Sequence, residues 1–191
     1  MRASCAPTST PPVPGRARAR RTKKGARHPA DEALGRSRGG LTSKLHLSCE
    51  GRGRPRSVVL TAGQVHESTQ LEPVLDAIRV PRRRGRPRKR PGRLVADKGY
   101  SYRKCRRALR RRGIRHVIPE RRDQRAQRAA AGARGGRPPG FDRAAYRRRN
   151  AIERGVNRLK QFRGLATRYE KRAVNYRALV VLAAIVIWLT T

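Results

Sequence analysis

Residues 41–63 read LTSKLHLSCEGRGRPRSVVLTAG, and their pattern is that of two neighbouring β-strands. From position 41 to 47 every second residue is Leu or Ser, and the residues between them are Thr42, Lys44 and His46. This alternation is the period of a strand with one buried face. RSVVLTAG predicts its partner, and CEGRGRP, with two glycines, predicts the hairpin connection between them. The stretch therefore predicts an antiparallel pair near the start of a sheet.

Helices and strands are predicted in turn after this hairpin. Apolar residues at helical spacing predict a helix over residues 69–78, with Ser68 or Thr69 as its cap. The apolar segments LVA and IRHVIP predict two short strands, separated by a helix over residues 102–113. Two more helices are predicted over residues 142–162 and 175–188. This order predicts an α/β fold with a mixed sheet and flanking helices.

Composition predicts where the chain is irregular. Residues 1–30 are rich in proline and basic residues, which predicts a disordered arm ahead of one folded unit over residues 31–191. Within that unit, residues 81–93 are interpreted as a basic linker and residues 121–140 as a low-complexity loop. The apolar run at residues 179–189 is shorter than the roughly 18 residues that a membrane span needs, which predicts a buried helix.

The charge of the chain indicates a polyanionic partner. Fifty lysine and arginine residues against twelve acids give a formal net charge of +38, which favours nucleic acid. Codon bias in a GC-rich genome also raises the arginine content without adding specific contacts, and both readings stay open. Aromatic residues make up only 4%, so double-stranded DNA is favoured over base stacking with single strands. The three cysteines form no metal-like pair, which fits a reducing, cytoplasmic compartment.

Two acids stand out because acids are so few. Asp97 follows the strand LVA directly, and α/β sheets often present functional residues at the carboxyl ends of strands. Glu153 lies in YRRRNAIERGVNRLK (residues 146–160), among five arginines and a lysine. It is either one half of an ordinary helical ion pair with Arg149 or, together with Asp97, a ligand of Mg²⁺. A divalent ion would let carboxylates and a DNA phosphate share one site.

The wider sequence resembles one family closely. The spacing of Tyr146, Arg149, Glu153 and Lys160 is similar to the Y-R-E-K signature of bacterial insertion-sequence transposases of the DDE type. The blocks GRSRGGLTSKLHL, LTAGQVHESTQLEPVL, VADKGYSYRKCRRALRRRGI and VIPERR resemble the same family in the same order. The resemblance extends from about residue 23 to the C-terminus.

This resemblance implies a ribonuclease H-like fold in which three acids bind Mg²⁺ (or Mn²⁺). Asp97 and Glu153 match the family's second and third acids, and Tyr146, Arg149 and Lys160 are implied to contact or orient the DNA. The implied partners are the double-stranded ends of the element and its target DNA, and a homo-oligomer is consistent with the family. The implied location is the bacterial cytoplasm, in association with the nucleoid, and no membrane partner is expected.

The first acid has no counterpart in this sequence. The family carries it on a strand ahead of GRSRGGLTSK, where this chain has a proline-rich stretch without an acid before Asp31. We therefore expect a sheet that lacks its first strand, in an N-terminally truncated transposase that binds DNA but cleaves it weakly or not at all. An upstream product in another reading frame could supply the missing acid.

A rival hypothesis comes from a repeated basic motif. RGRPR occurs at residues 52–56 and again at residues 84–88, and resembles the AT-hook, which places arginines in the minor groove of DNA. The second copy predicts Arg84, Arg86 and Arg88 as DNA-binding residues. The alternative function is thus a non-enzymatic, AT-hook-like minor-groove DNA-binding protein.

Overall fold

The computed structural model describes residues 2–9, 32–37 and 40–191, which form a mixed α/β structure. The strands are β1 (Arg2–Ser9), β2 (Gly35–Ser37), β3 (Gly40–Cys49), β4 (Pro55–Ala62), β5 (Arg93–Ala96) and β6 (Arg115–Val117). The helices are α1 (Leu71–Asp76), α2 (Arg103–Arg111), α3 (Arg122–Ala130), α4 (Arg143–Arg147), α5 (Asn150–Lys160), α6 (Arg163–Ala166) and α7 (Ala173–Leu189). The predicted α/β class with a mixed sheet and flanking helices is confirmed.

The main sheet has the strand order β4-β3-β1-β5-β6. β3 is antiparallel to both of its neighbours, β4 and β1. β1, β5 and β6 run parallel to one another. The short strand β2 pairs with the first residues of β3. The sheet thus joins an antiparallel hairpin, as predicted from residues 41–63, to a parallel half whose carboxyl ends share one edge.

The strand β1 corrects two predictions. We expected residues 1–30 to be a disordered arm and the sheet to lack its first strand, but Arg2–Ser9 forms a strand between β3 and β5. Pro7 is unfavourable in a central strand, because proline cannot donate a ladder hydrogen bond. In the structure the pairing with β5 ends at Cys5, so Pro7 is flanked by β3 alone and sits where proline is tolerated. The rest of the predicted arm, residues 10–31, lies outside the described residues.

Helices cover both faces of the sheet, so β3 is buried more completely than a one-faced alternation predicts. Leu45 and Leu47 pack with residues of α5, α6 and α7. On the opposite face, His46 and Ser48 are also fully buried. Ser48 shares a 2.5 Å hydrogen bond with Ser57 of β4, and the Ser57 hydroxyl donates to the carbonyl of Val74 in α1. A hydrogen-bonded polar layer therefore replaces the solvent that we expected on this face.

The helix predicted over residues 142–162 is divided in the structure. α4 ends at Arg147 and α5 begins at Asn150. Ala145 of α4 packs against Val95 and Val117, at the parallel half of the sheet. Ile152 of α5 instead packs in the cluster that contains Leu45 and Leu47 of β3. The break lets the two segments cover different strands.

Residues 121–140, predicted as a loop, contain the helix α3, which buries none of its residues. Alanine, arginine and glutamine are strong helix formers, so this segment forms a helix from local preference without a core contact. An ion pair between Arg128 and Glu120 adds local support.

The C-terminal helix α7 is buried on one side only. Tyr176, Val180, Ala183 and Ile187 face the sheet. The apolar run predicted as a buried helix is therefore a helix, but only this side of it is buried. Its other side exposes an apolar stripe that includes Val174, Val181, Leu182, Ile185, Val186 and Leu189. Within the described ranges, no helix combines the length and the apolar character that crossing a bilayer requires.

The buried imidazole of His46 makes stability depend on pH. Burial, and then the charge of Lys44, lowers the pKa of His46 from 6.5 to about 4. Its Nε2 lies 2.9 Å from Oγ1 of Thr61. The unfolded chain thus binds a proton between these two pKa values and the folded chain does not, so stability falls as the pH drops through that window.

We expect unfolding by urea to show a loss of about 2 kcal/mol between about pH 7.5 and about pH 5 from this residue alone. His46→Gln keeps a partner for Thr61 but does not titrate, so its stability should change less over the same interval. Equal pH dependence in both proteins would contradict the assignment.

Candidate metal and DNA site

Asp97 lies at the carboxyl end of β5, where the sequence predicted a functional acid. It is partly buried, and its Oδ1 accepts a 2.7 Å hydrogen bond from the amide of Lys98. That bond caps the short 3₁₀ turn Lys98–Tyr100, whose Tyr100 is fully buried. The turn leads the chain away from the sheet directly after the acid, so Asp97 is held at the edge of the sheet.

Tyr146 lies over the same edge, next to the residues that precede Asp97. It packs against the small cluster of Val95, Val117 and Ala145. Side chains alternate along a strand, so Val95 and Asp97 belong to the same face of β5. Tyr146 and Asp97 therefore share one face of the sheet.

Glu153 projects from the first turn of α5 into solvent. It forms an ion pair with Arg149, four residues earlier, as the simpler of the two interpretations predicted. The Arg149 guanidinium also lies 5.8 Å from the centre of the Tyr146 ring. The pair thus connects the start of α5 to the residue that covers Asp97.

The phenol of Tyr146 responds to both acids. Its pKa is raised above the ordinary value, first by burial, and then by the negative charges of Asp97 and Glu153, against the opposing charge of Arg149. Contacts connect Glu153 to Arg149 and Arg149 to Tyr146. Tyr146 in turn packs on the face of β5 that leads to Asp97, so the four residues come from β5, α4 and α5.

Lys160 lies at the far end of α5 and is exposed. Seven residues separate it from Glu153, which is roughly 10 Å along the helix axis. It follows Glu153 on the same side of the helix, because seven residues are close to two full turns. Lys160 is thus placed beside the acids and does not contact them.

Two acids give this site the ligand chemistry of a hard cation but not a complete cage. Mg²⁺ is commonly held by one or two carboxylates, with waters and substrate phosphates in the other positions. Asp97 and Glu153 fit that limited role. Across the described ranges, no group of three or more His, Cys, Asp or Glu side chains is arranged to hold a metal ion.

Glu67 is a neighbour of the site that the sequence did not reveal. It belongs to a 3₁₀ turn before α1 and forms a 3.2 Å ion pair with Lys44. A Cβ atom at Gly99 would lie 2.7 Å from the Glu67 carboxylate, so this acid lies against the turn that follows Asp97. Thirty residues separate Glu67 from Asp97 in the chain, and no motif connects them.

The second RGRPR copy lies elsewhere. Arg84 and Arg86 are exposed in the connection that leads into β5 at Arg93, whereas Asp97 follows the end of that strand. Arg88 is partly buried, and its Nε donates to the carbonyl of Arg90. Because β5 spans four residues, or roughly 13 Å, these arginines lie at the opposite edge of the sheet from the acids.

Comparisons with known proteins show which class of protein has this sequence. Residues 15–189 match the family described as the transposase DDE domain. The chain belongs to this family. A divalent metal ion is typical of its members.

One curated relative is similar over a large part of the chain. It is a putative transposase for insertion sequence element IS402 from Burkholderia cepacia, 38% identical over 132 residues. The similar region covers 69% of this chain and 55% of the relative, so the chain spans about half the length of the protein it matches. No solved structure matches the chain. The predicted membership in the insertion-sequence transposases of the DDE type is confirmed.

Proposed function

We propose that this chain is a DNA-binding transposase domain that uses Asp97 and Glu153 to hold Mg²⁺ (or Mn²⁺) for strand cleavage and transfer. The observation that carries the proposal is that the ion pair of Glu153 and Arg149 lies beside Tyr146, which packs on the face of β5 that leads to Asp97. Both carboxylates raise the pKa of Tyr146, which supports this arrangement.

The sheet supports a ribonuclease H-like fold, which the family resemblance implies. Its order β4-β3-β1-β5-β6, with an antiparallel hairpin on one side of β1 and two parallel strands on the other, is the arrangement that such a fold requires. It brings the end of β5 next to the end of β1, beneath α5. The proposed metal ligands then lie at this edge of the sheet.

Each side chain has a defined part in the proposed reaction. A bound divalent ion would supply positive charge that stabilises in-line displacement at a DNA phosphorus atom. Asp97 and Glu153 would hold the ion. Arg149, which pairs with Glu153, would bind a DNA phosphate, which suits its bidentate geometry. Tyr146 packs against β5 beside Arg149 and would orient the DNA strand. Lys160 would contact the backbone further along the duplex.

We also propose that this site is catalytically weak. β1 lies beside β5, but the stretch Arg2–Ser9 contains no acidic residue. Two carboxylates can hold one ion, yet they offer fewer ligands than a two-metal site needs. The chain as it stands should therefore bind DNA and cleave it slowly or not at all. Truncation of the chain, a homo-oligomer and association with the nucleoid stay predictions.

A non-enzymatic AT-hook-like protein is the second candidate, favoured by the exposed arginines near residue 84. It would bind DNA equally with and without Mg²⁺ and would tolerate Glu153→Ala. Its binding would disappear when residues 82–93 are deleted. The proposed transposase site instead predicts that Mg²⁺ strengthens binding to element ends and that Glu153→Ala removes this gain.

The experiment uses the full chain with a plasmid that carries the ends of the element. We expect DNA binding together with little or no Mg²⁺-dependent cleavage. Robust cleavage that Asp97→Ala abolishes would overturn the weak-site proposal while supporting the assignment of the acids. Cleavage that persists in Asp97→Ala and in Glu153→Ala would contradict the assignment itself.

A further inference from the structure

The two copies of RGRPR occur in different environments, so their roles can be compared within one molecule. The first copy, residues 52–56, connects β3 to β4. The guanidinium groups of Arg54 and Arg56 lie 4.0 and 4.2 Å from the centre of the Trp188 ring. Both arginines also form ion pairs with Glu50. Arg54 and Arg56 therefore hold this copy against α7 and are not available to DNA, which leaves Arg52 as its one exposed arginine.

The second copy lies in a closed, protruding loop. Two backbone hydrogen bonds between Val80 and Arg88, of 3.0 and 2.8 Å, join the base of the loop. Every residue from 81 to 87 is exposed. Gly85, at the centre of the motif, has φ +83° and would have no atom within 4 Å of an added Cβ. The motif is therefore held at its ends and presented to solvent at its tip.

The charge of this loop is not neutralised within the described part of the chain. Seven of the nine residues from 82 to 90 are Lys or Arg. None of Arg82, Arg83, Arg84 and Arg86 forms an ion pair with an acid in that part of the chain, in contrast to Arg54 and Arg56. Neutralising the charge of this loop therefore requires a strongly negative partner outside the protein.

We propose that residues 82–90 form a separate site for the minor groove of A/T-rich double-stranded DNA. The narrow minor groove of A-tracts has an enhanced negative potential that attracts arginine. A groove about 6 Å wide admits only a slim chain. Gly85 has no side chain, and Pro87 holds its backbone near φ −65°, so Arg84 and Arg86 can enter on either side of a thin centre.

The loop and the metal site lie at opposite edges of the sheet, so the two sites are independent. The loop precedes Arg93 at the start of β5, and Asp97 follows the end of this strand. One duplex that contacts both would be held at a second point, away from the reacting phosphate. The loop site therefore adds an A/T preference to the proposed transposase chemistry without taking part in it.

The test is fluorescence polarisation of the full chain with short A/T-tract and G/C duplexes, at physiological salt and in the presence of EDTA. We expect the A/T duplex to bind about tenfold more tightly. Arg84→Ala with Arg86→Ala should remove most of this preference. Arg84→Lys with Arg86→Lys keeps the charge and should also reduce the A/T preference. The arginine guanidinium is more weakly hydrated than the lysine ammonium, so it enters a narrow groove more readily.

Arg122→Ala with Arg125→Ala is the matched control, since both arginines are exposed on α3 and the same two charges are lost. It should weaken binding to both duplexes equally. Equal affinity for both duplexes in the unchanged chain, or equal effects of the loop and α3 pairs, would overturn the proposal and leave a basic loop that binds phosphates without preference. Because EDTA removes metal, either result leaves the proposed metal site untouched.

Discussion

Ala6→Asp is expected to make the chain nick supercoiled plasmid in the presence of Mg²⁺, at a rate at least about 100-fold above that of the unchanged protein. A third carboxylate would allow metal charge to stabilise the displacement by several kcal/mol. Each 1.4 kcal/mol is worth about tenfold in rate. Mg²⁺ should also raise the melting temperature of this variant more than that of the unchanged chain. This shift reports metal binding independently of cleavage.

The pairing of β1 with β5 selects this position. The two strands run parallel, and the last of their paired residues are Cys5 and Ala96. The pairing ends there, and one further step in the same register leads to Ala6 and Asp97. An acid at position 6 would therefore lie next to Asp97, at the shared carboxyl edge of the two strands.

The pairing of β1 with β3 places the same position under α5, the helix that carries Glu153. Ala6 pairs with Leu47, and paired residues share a face of the sheet. Leu47 packs with Ile152 of α5. Position 6 thus belongs to the face that α5 covers, and we expect an acid there to join Asp97 and Glu153 in one metal site.

Ser4→Asp is the matched control for this gain. Ser4 lies on the same face of β1, but its partner in β5 is the buried Val95, one step inside the sheet edge. An acid there should bring no cleavage. Asp97→Asn in the Ala6→Asp protein should abolish the gain. A folded, DNA-binding Ala6→Asp protein that is no more active than Ala6→Asn would refute the proposed arrangement.

The sequence predicted the elements whose signal is local, and it failed where packing decides. The alternation from Leu41 to Leu47 correctly indicated the strand and its hairpin. The same pattern could not show that His46 is buried, because the helix α1 that covers it is distant in the chain. Likewise, Pro7 argued against a central strand, and only the pairing pattern shows that β5 no longer flanks it.

The candidate site was predictable in its residue types and not in its geometry. Asp97 was indicated by its place after a strand, and Glu153 by the family spacing. One continuous helix from Tyr146 to Lys160 was wrong, because α4 and α5 pack on different strands. The packing of Tyr146 on the face of β5 that leads to Asp97 follows from the position of α4. No local pattern encodes it.

Gly155→Val is expected to have the largest effect on stability, a loss of about 3–5 kcal/mol in the free energy of unfolding. A Cβ at position 155 would lie 2.5 Å from the carbonyl oxygen of Gly53 and 2.8 Å from Sγ of Cys49. Gly53 in turn has φ +82°, and a Cβ there would lie 2.7 Å from the carbonyl oxygen of Ala151. The hairpin turn and α5 thus meet backbone to backbone, and neither can move aside as a flexible side chain could.

The melting temperature should fall by about 10 °C, measured by circular dichroism. Gly164→Val is the matched control, because a Cβ at Gly164 in α6 meets no atom within 4 Å. Its effect should stay within about 1 kcal/mol. Equal melting temperatures for the two variants would show that α5 does not depend on this contact.

The same contact links the fold to the proposed chemistry, because Gly155 lies two residues after Glu153. A valine that lifts α5 from the hairpin also moves Glu153 away from Asp97 and Tyr146. Gly155→Val should therefore cancel the cleavage gained in Ala6→Asp even at a low temperature, where the protein is still folded. Binding of the A/T duplex should be unchanged under those conditions, since residues 82–90 lie at the opposite edge of the sheet. Loss of both functions together would indicate general unfolding. Loss of cleavage alone would show that the close packing of Gly53 and Gly155 holds Glu153 in place.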